Sequence, residues 1–414
     1  MTHPTFTTLG LTEALRRALT AENYSVPTPI QAQAIPLILA GRDVLGIAQT
    51  GTGKTAAFGL PLMQRLVENH SAAAPNTTRA LILAPTRELA IQIDESLRSY
   101  GRHLKLRHAV ILGGVNQNRQ VQALRHGVDV LVATPGRLLD LIQQKHLRLN
   151  AVSELVIDEA DRMFDMGFIR DVRRIVAYLP RQRQSMLFSA TMPPEVSHLV
   201  AEILRDPARI DISPAAVTAD NIDQRVYFVP AQEKRTLLQN LLSDAAMKRV
   251  IVFTRTKHGA NKVAEHLEKA GHAAEAIHGN KSQNARQRAL EEFRTGRARI
   301  LVATDIAARG IDIDDVTHVV NFELPDVAES YVHRIGRTAR AGTVGVAIAF
   351  CDPAERDSLR AIERLVKQPL TTMGGDRNAS GDRHAAAAKP GRGHAPKHSH
   401  QGPRGNRRNA RRAA

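Results

Sequence analysis

Tryptophan is missing from this 414-residue chain, phenylalanine and tyrosine make up only 4% of it, and Cys351 is its single cysteine. One thiol cannot build an intramolecular disulfide framework, so a reducing, cytoplasmic location is expected. Cys351 follows the apolar run 346–350 and reads as a small packed hydrophobe, not a nucleophile. Scarce aromatics argue against a base-stacking platform, so any grip on nucleic acid should fall on the sugar-phosphate backbone. No apolar run approaches the ~20 residues a membrane helix needs. Residues Met1 to Phe6 lack the basic start and apolar stretch of a secretory signal, and none is expected. Acidic residues are also in deficit, 41 against 57 lysines and arginines, for a net charge of +16.

Against those absences stand two runs with a definite chemistry. Ala48, Gln49, Thr50, Gly51, Thr52, Gly53, Lys54 and Thr55 have the form of a phosphate loop, although Ala48 stands where its first glycine would be. Gly51 and Gly53 let backbone N–H groups close around phosphate oxygens at a helix start, Lys54 reaches the β/γ-phosphates, and Thr55 offers a hydroxyl to Mg²⁺. The second run, Asp158 to Asp161, follows the apolar stretch 155–157, so Asp158 and Glu159 should emerge at the carboxyl end of a buried parallel strand, where a metal-holding acid belongs. Either run alone could be an ordinary strand-to-helix turn or a solvated helix start. Together, in this order, they point to hydrolysis of ATP or GTP.

Short apolar runs alternate with helical patterns twice along the body, the pattern of parallel βαβ units. The first set comprises 80–84, 110–112, 130–133 and 155–157; the second, without a phosphate loop, comprises 250–253, 276–277, 300–303 and 318–320. An N-terminal domain over 1–210, a linker over 211–220 and a second domain over 221–368 are expected. Residues 369–414 are expected to be a disordered basic tail. From 371 onward ten lysines and arginines face Asp376 and Asp382, half of the net charge, with no aromatic residue to build a core. Such a polycation suits nucleic-acid phosphates, or it simply solubilises the chain.

Three segments leaving the first sheet carry groups suited to phosphate oxygens: Pro85-Thr86-Arg87, Gly113-Gly114, and Thr134-Pro135-Gly136-Arg137. Plain helix capping explains any one of them; all three on the nucleotide edge suggest a groove. In the second half His333 opens a run holding Arg334, Arg337 and Arg340. Arg337 and Arg340, three apart on what should be one helical turn, can converge on one anion as arginine fingers.

These motifs, with Ser189-Ala-Thr191 and the stretch from Asn23 to Gln31, resemble the DEAD-box family of ATP-dependent RNA helicases from Phe6 to about Phe350. The stretch 254–261, with 277–283 and Arg286, is similar to its bacterial RhlE-like branch in particular. The resemblance implies two tandem RecA-like α/β domains and RNA-stimulated ATP hydrolysis with Mg²⁺. By it Gln31 hydrogen-bonds the adenine edge, Tyr24 and Phe6 pack at the nucleotide, and Asp305 meets the ribose. Lys54 and Thr55 hold phosphates and metal, Asp158 positions the metal, Glu159 activates water, and Arg337 and Arg340 are the fingers. RNA contacts are implied at Pro85, Thr86, Arg87, Gly114, Thr134, Pro135, Gly136 and Arg137, and across the cleft at Thr254, Arg255, Gln283, Arg286 and Thr304. Asp161, Ser189, Thr191 and His333 would couple the two activities. Asn23 and Ala339 stand at positions usually glycine in the family, and Met192 where the branch commonly has phenylalanine.

The implied machine is a clamp that closes when ATP and RNA bridge its lobes and bends one strand out of a short duplex. Two alternatives stay open: an RNA chaperone acting through the basic tail, and a DNA-directed helicase on the same two-sheet engine. Whether ribosome-assembly or RNA-decay proteins are its partners is also open.

Overall fold

The computed structural model describes residues 5–49, 51–69, 71–212, 222–308, 315–339 and 344–376. They form two seven-stranded sheets flanked by helices, and every strand pairing is parallel. The first sheet contains β1 (Val44–Ile47), β2 (Thr78–Leu83), β3 (His108–Ile111), β4 (Val128–Ala133), β5 (Glu154–Ile157), β6 (Gln184–Ser189) and β7 (Ala208–Asp211), in the order β3-β4-β2-β5-β6-β1-β7. The second contains β8 (Ile222–Phe228), β9 (Val250–Thr254), β10 (Ala274–Ile277), β11 (Ile300–Thr304), β12 (His318–Asn321), β13 (Gly345–Cys351) and β14 (Thr371–Gly374), in the order β10-β11-β9-β12-β13-β8-β14. No helix among the described residues is long and apolar enough to cross a membrane.

Helices on both faces explain why the central strands read as continuous apolar runs: Leu81 and Leu83 pack into one core layer, Ala80 and Ile82 into the other. Each expected apolar run falls on a strand. The expected tail boundary shifts, because Leu370 is buried and residues 371–374 pair with β8 as an edge strand; the rest of the tail, from 377, lies outside the described residues. Of the expected linker, Asp211 closes β7 and 213–220 lie outside the described residues. Cys351 is buried in β13, and burial raises its thiol to about 11, which suits a packing residue.

One buried acid gives the fold a pH dependence. Glu154 opens β5 with Oε1 accepting from Arg65 Nε at 3.0 Å, while Oε2 has no partner. Burial lifts this carboxyl from 4.5 to about 7, with Arg65 opposing the shift. The native state therefore holds a proton that the unfolded chain releases, so stability falls as pH rises from 4.5 towards 7. Glu154→Gln should shrink the stability lost between acid and mildly alkaline pH by on the order of 2 kcal/mol. Thermal melts of both proteins across that range check it; superimposable pH profiles would count against the buried acid.

Candidate active site and nucleic-acid groove

The carboxyl edge of the first sheet is divided by strand order. On one side β5, β6 and β1 are neighbours, and the segments leaving them are Asp158-Glu159, Ala190-Thr191 and the phosphate loop. On the other side β2, β4 and β3 release Pro85-Thr86-Arg87, Thr134 to Arg137 and Gly113-Gly114. A parallel sheet thus brings motifs more than a hundred residues apart onto one rim.

In the phosphate loop Gly51 and Gly53 adopt left-handed φ of 84° and 89°, and Gly53 caps the helix Lys54–Glu68. A Cβ on Gly53 would lie 2.4 Å from Gln31 Nε2, so glycine is required there by both conformation and space. Lys54 Nζ is buried and donates to Ala48 O at 3.0 Å; Thr52 Oγ1 donates to Gln49 O at 2.8 Å. Thr55 lies in the first helical turn, and Thr50 is outside the described residues. Gln31 is fixed from both ends, donating to Gly53 O at 3.1 Å and accepting from Thr28 N at 2.9 Å. Tyr24 stands half-exposed and edge-on to Tyr100, and their hydroxyls are 3.1 Å apart. Phe6, expected at the nucleotide, is packed into the core with Leu9 and Leu11.

Asp158 and Glu159 are both buried. Burial, reinforced by Glu159 and opposed by Lys54, pushes the Asp158 carboxyl up to about 6. Such crowded, desolvated carboxylates fit a hard divalent cation, which would relieve both causes of the shift. Glu159 takes φ 54° as N-cap of Ala160–Asp165, a strained conformation for a non-glycine residue, and Oε2 accepts from Arg162 Nη1 at 2.6 Å. Asp161 joins this edge to β6. Its Oδ2 accepts from Ala190 N (3.1 Å), Thr191 N (2.8 Å) and Thr191 Oγ1 (3.0 Å), and Ser189 Oγ accepts from Asp161 N (3.1 Å). Burial alone would raise the Asp161 carboxyl, yet Lys54, Thr191, Arg162 and His333 together hold it below the usual range.

His333 therefore belongs to the second lobe yet faces an acid of the first. It lines a narrow crevice with Arg162, Asp305, Arg334 and Arg337. The expectation that Arg337 and Arg340 share a helical turn is corrected: the helix Ala328–Ile335 stops at Gly336, Arg337 lies in the turn beyond it, and Arg340 is outside the described residues. Ala339 in that turn has φ 56° and Asn23 has φ 61°, which accounts for both being usual glycine positions; asparagine tolerates this region better than alanine. Met192 packs part-buried against the first lobe's core.

Pro85, Thr86, Arg87, Thr134, Gly136 and Arg137 line a cavity of about 330 Å³ that Gly279 and Arg286 close from the second lobe. Thr86 caps its helix by accepting from Leu89 N, Pro135 sits at the first position of the helix Pro135–Gln143, and Gly114 has φ 78° against the Arg87 guanidinium. Thr254 and Thr304 end β9 and β11, and both are buried; Arg255 is exposed and ion-paired with Asp326 at 3.4 Å.

Two expected RNA contacts are engaged otherwise. Arg286 Nη2 lies 2.8 Å from Glu88 Oε2 and Gln283 Nε2 donates to Glu88 Oε1 at 3.1 Å, so these side chains bridge the lobes. The sequence reading missed Glu88, Arg162 and Arg334. Arg334 is almost fully buried, forks onto Asp305 at 2.6 and 2.8 Å, and lies over the Phe253 ring. Asp305, expected at the ribose, is held by that fork. Glu88→Ala would strand Arg286 in a buried interface, a loss of about 3–5 kcal/mol for the closed arrangement. Interlobe energy transfer between two dyes should then report separated lobes under conditions where the parent protein closes; an unchanged distance would refute the bridge.

A phosphate loop and buried acids on one parallel sheet, faced by arginines from a second sheet, define a two-lobed nucleotide-binding α/β protein. The DEAD/DEAH box helicase description matches residues 28–199, and the helicase conserved C-terminal domain matches 233–342. The chain belongs to the DEAD/DEAH box helicase family. It is 46% identical over 367 residues to the RNA helicase CrhR of Synechocystis, covering 88% of this chain and 73% of that one. It is 44% identical over 369 residues to the DEAD-box ATP-dependent RNA helicase CshA of Bacillus subtilis, covering 89% and 74%. Among solved structures it resembles S. cerevisiae Dbp5 bound to RNA and ADP BeF3, with TM-score 0.79, 33% identity and coverage of 89% and 95%.

Proposed function

We propose that the chain is an RNA-stimulated ATPase that locally unwinds short RNA duplexes or remodels ribonucleoprotein. The observation that carries this reading is the divided sheet edge: nucleotide motifs on β5-β6-β1 and a phosphate-suited groove on β2-β4-β3, on one rigid rim.

In this reading Lys54 binds the β/γ-phosphates of ATP once its contact with Ala48 O is exchanged for phosphate oxygens. Gln31 reads the adenine edge, since an amide presents both donor and acceptor. Tyr24 packs on the ring. Thr55 and Asp158 would hold Mg²⁺, which when bound neutralises charge on the phosphates. Glu159 takes a proton from the attacking water, and Arg337, joined by Arg340, brings positive charge to the γ-phosphate when the lobes close. Asp161, Ser189 and Thr191, continuous with the acid motif and faced by His333, transmit that closure. Thr86, Arg87, Gly114, Thr134, Gly136 and Arg137 hold the RNA backbone with Thr254, Arg255 and Thr304, and the glutamate bridge of Arg286 and Gln283 fixes the closed lobes around it. Domain limits of 1–210 and 221 to the end of β14 are part of this reading, as are the RhlE-like branch, a cytoplasmic location and an RNA-binding tail.

Displacement of a short RNA duplex with ATP, set beside the same assay on a DNA duplex and on a protein ending at Asp376, separates the readings. RNA displacement that survives the cut is expected. Activity confined to DNA would support the DNA-directed helicase, and loss of activity with the tail would support the chaperone.

A further inference from the structure

Because all seven strands of the first sheet run parallel, the loops that enter them share the edge opposite the nucleotide. Those loops, counted between the preceding helices and the strands, hold ten lysines and arginines but only two carboxylates, Asp43 and Asp206. Asp43 is buried and accepts from Ser185 N and Arg205 N, so it is committed to the backbone. Asp206 lies 3.7 Å from Arg42. By contrast, the loops leaving the strands contain no lysine or arginine before the following helices begin. The cations of that edge, Lys54, Arg87 and Arg137, stand in the first turns of the following helices, at the nucleotide and the groove, so the ten loop cations form a separate set.

Charge on this rim is poorly compensated within the lobe. Among the described residues no carboxylate lies in ion-pair reach of Lys105, Arg125, Arg181 or Arg205, all exposed. Arg148 turns instead to the backbone carbonyl of Pro75 (3.3 Å), while Arg107 divides between the carbonyl of His126 (2.6 Å) and Asp129 (3.8 Å), and Arg102 pairs with Glu22. Arg183 has a buried Nε without a partner, and burial together with Arg205 holds its guanidinium below the usual value, as crowded cations require. In strand order the rim crosses seven strands, roughly 29 Å at ~4.8 Å per strand. Eight of the ten cations are arginines, whose planar fork matches phosphate oxygens in pairs. Beside Arg181 stands Tyr178, half-exposed in a chain with few aromatics, a face on which one base can stack.

We propose that the strand-entry edge of the first lobe is a second RNA-binding surface, which takes the phosphate backbone of RNA flanking the strand held in the groove, with Tyr178 stacking an unpaired base. It extends the helicase reading without using any residue of the nucleotide site or the groove.

The test uses the full chain carrying Lys105→Glu, Arg125→Glu, Arg181→Glu and Arg205→Glu, with the four glutamine substitutions as a milder companion whose melting temperature controls for folding. A short single strand, long enough only for the groove, should stimulate ATPase equally in parent and variants. For a duplex with a single-stranded overhang, apparent affinity should fall on the order of tenfold in the glutamate variant. Its log–log salt slope should flatten by ~3, from four lost phosphate contacts, and Tyr178→Ala should weaken overhang binding without changing the slope. Equal affinity and slope for the overhang duplex in parent and both variants would overturn the proposal, as would loss of binding to anionic lipid vesicles with RNA binding intact. Absence of RNA-stimulated turnover in the parent would instead defeat the helicase reading, and the salt slope would still report on the rim.

Discussion

Glu159→Gln is expected to leave ATP and RNA binding near normal while lowering turnover by about 10²- to 10⁴-fold, the range for loss of a positioned base. The amide keeps the shape of a side chain that is buried and strained at φ 54°. It loses the negative charge that now meets Arg162 at 2.6 Å, and with it the capacity to accept a proton. Equilibrium binding of a fluorescent ATP analogue, beside single-turnover hydrolysis at saturating RNA, separates the two effects. Turnover within threefold of the parent would remove Glu159 from the role of base.

Arg337→Ala should cost about 10³-fold or more in RNA-stimulated turnover, the scale of an arginine finger, and much less in RNA affinity. Arg337 is buried in the crevice that Arg162 shares from the opposite lobe, and its Nε reaches His333 O at 3.2 Å. Its charge thus stands at the lobe junction and outside the groove. Arg337→Lys should recover little, because one ammonium does not reproduce the guanidinium fork. A loss of RNA binding equal to the loss of turnover would make Arg337 an RNA contact.

Much of this arrangement was readable in the chain because parallel βαβ folds put chemistry where strands end. The runs at 80–84, 130–133 and 155–157 are buried on both faces, and the residues after them necessarily share a rim. Glycine at 51 and 53 signalled a backbone free to close around phosphate, and the structure shows how, with both residues at left-handed φ. What escaped was set by partners distant in sequence. Glu88 reads as an acidic first-turn residue, yet it meets Gln283 and Arg286 across the lobe junction, and no local pattern reveals such pairing. Arg334 was hidden by its neighbours, since a run of cations does not show which one turns inward to Asp305. The helix expected through Arg337 ended at Gly336, and β14 lay in a stretch whose composition looked like tail.

The central claim, that nucleotide chemistry on one half of the rim is governed by RNA on the other, is tested most directly by steady-state ATPase of the full chain with and without single-stranded RNA. The account predicts slow hydrolysis alone and a rise of at least tenfold with saturating RNA, with no comparable rise for DNA of the same sequence. Hydrolysis equally fast without nucleic acid would contradict it.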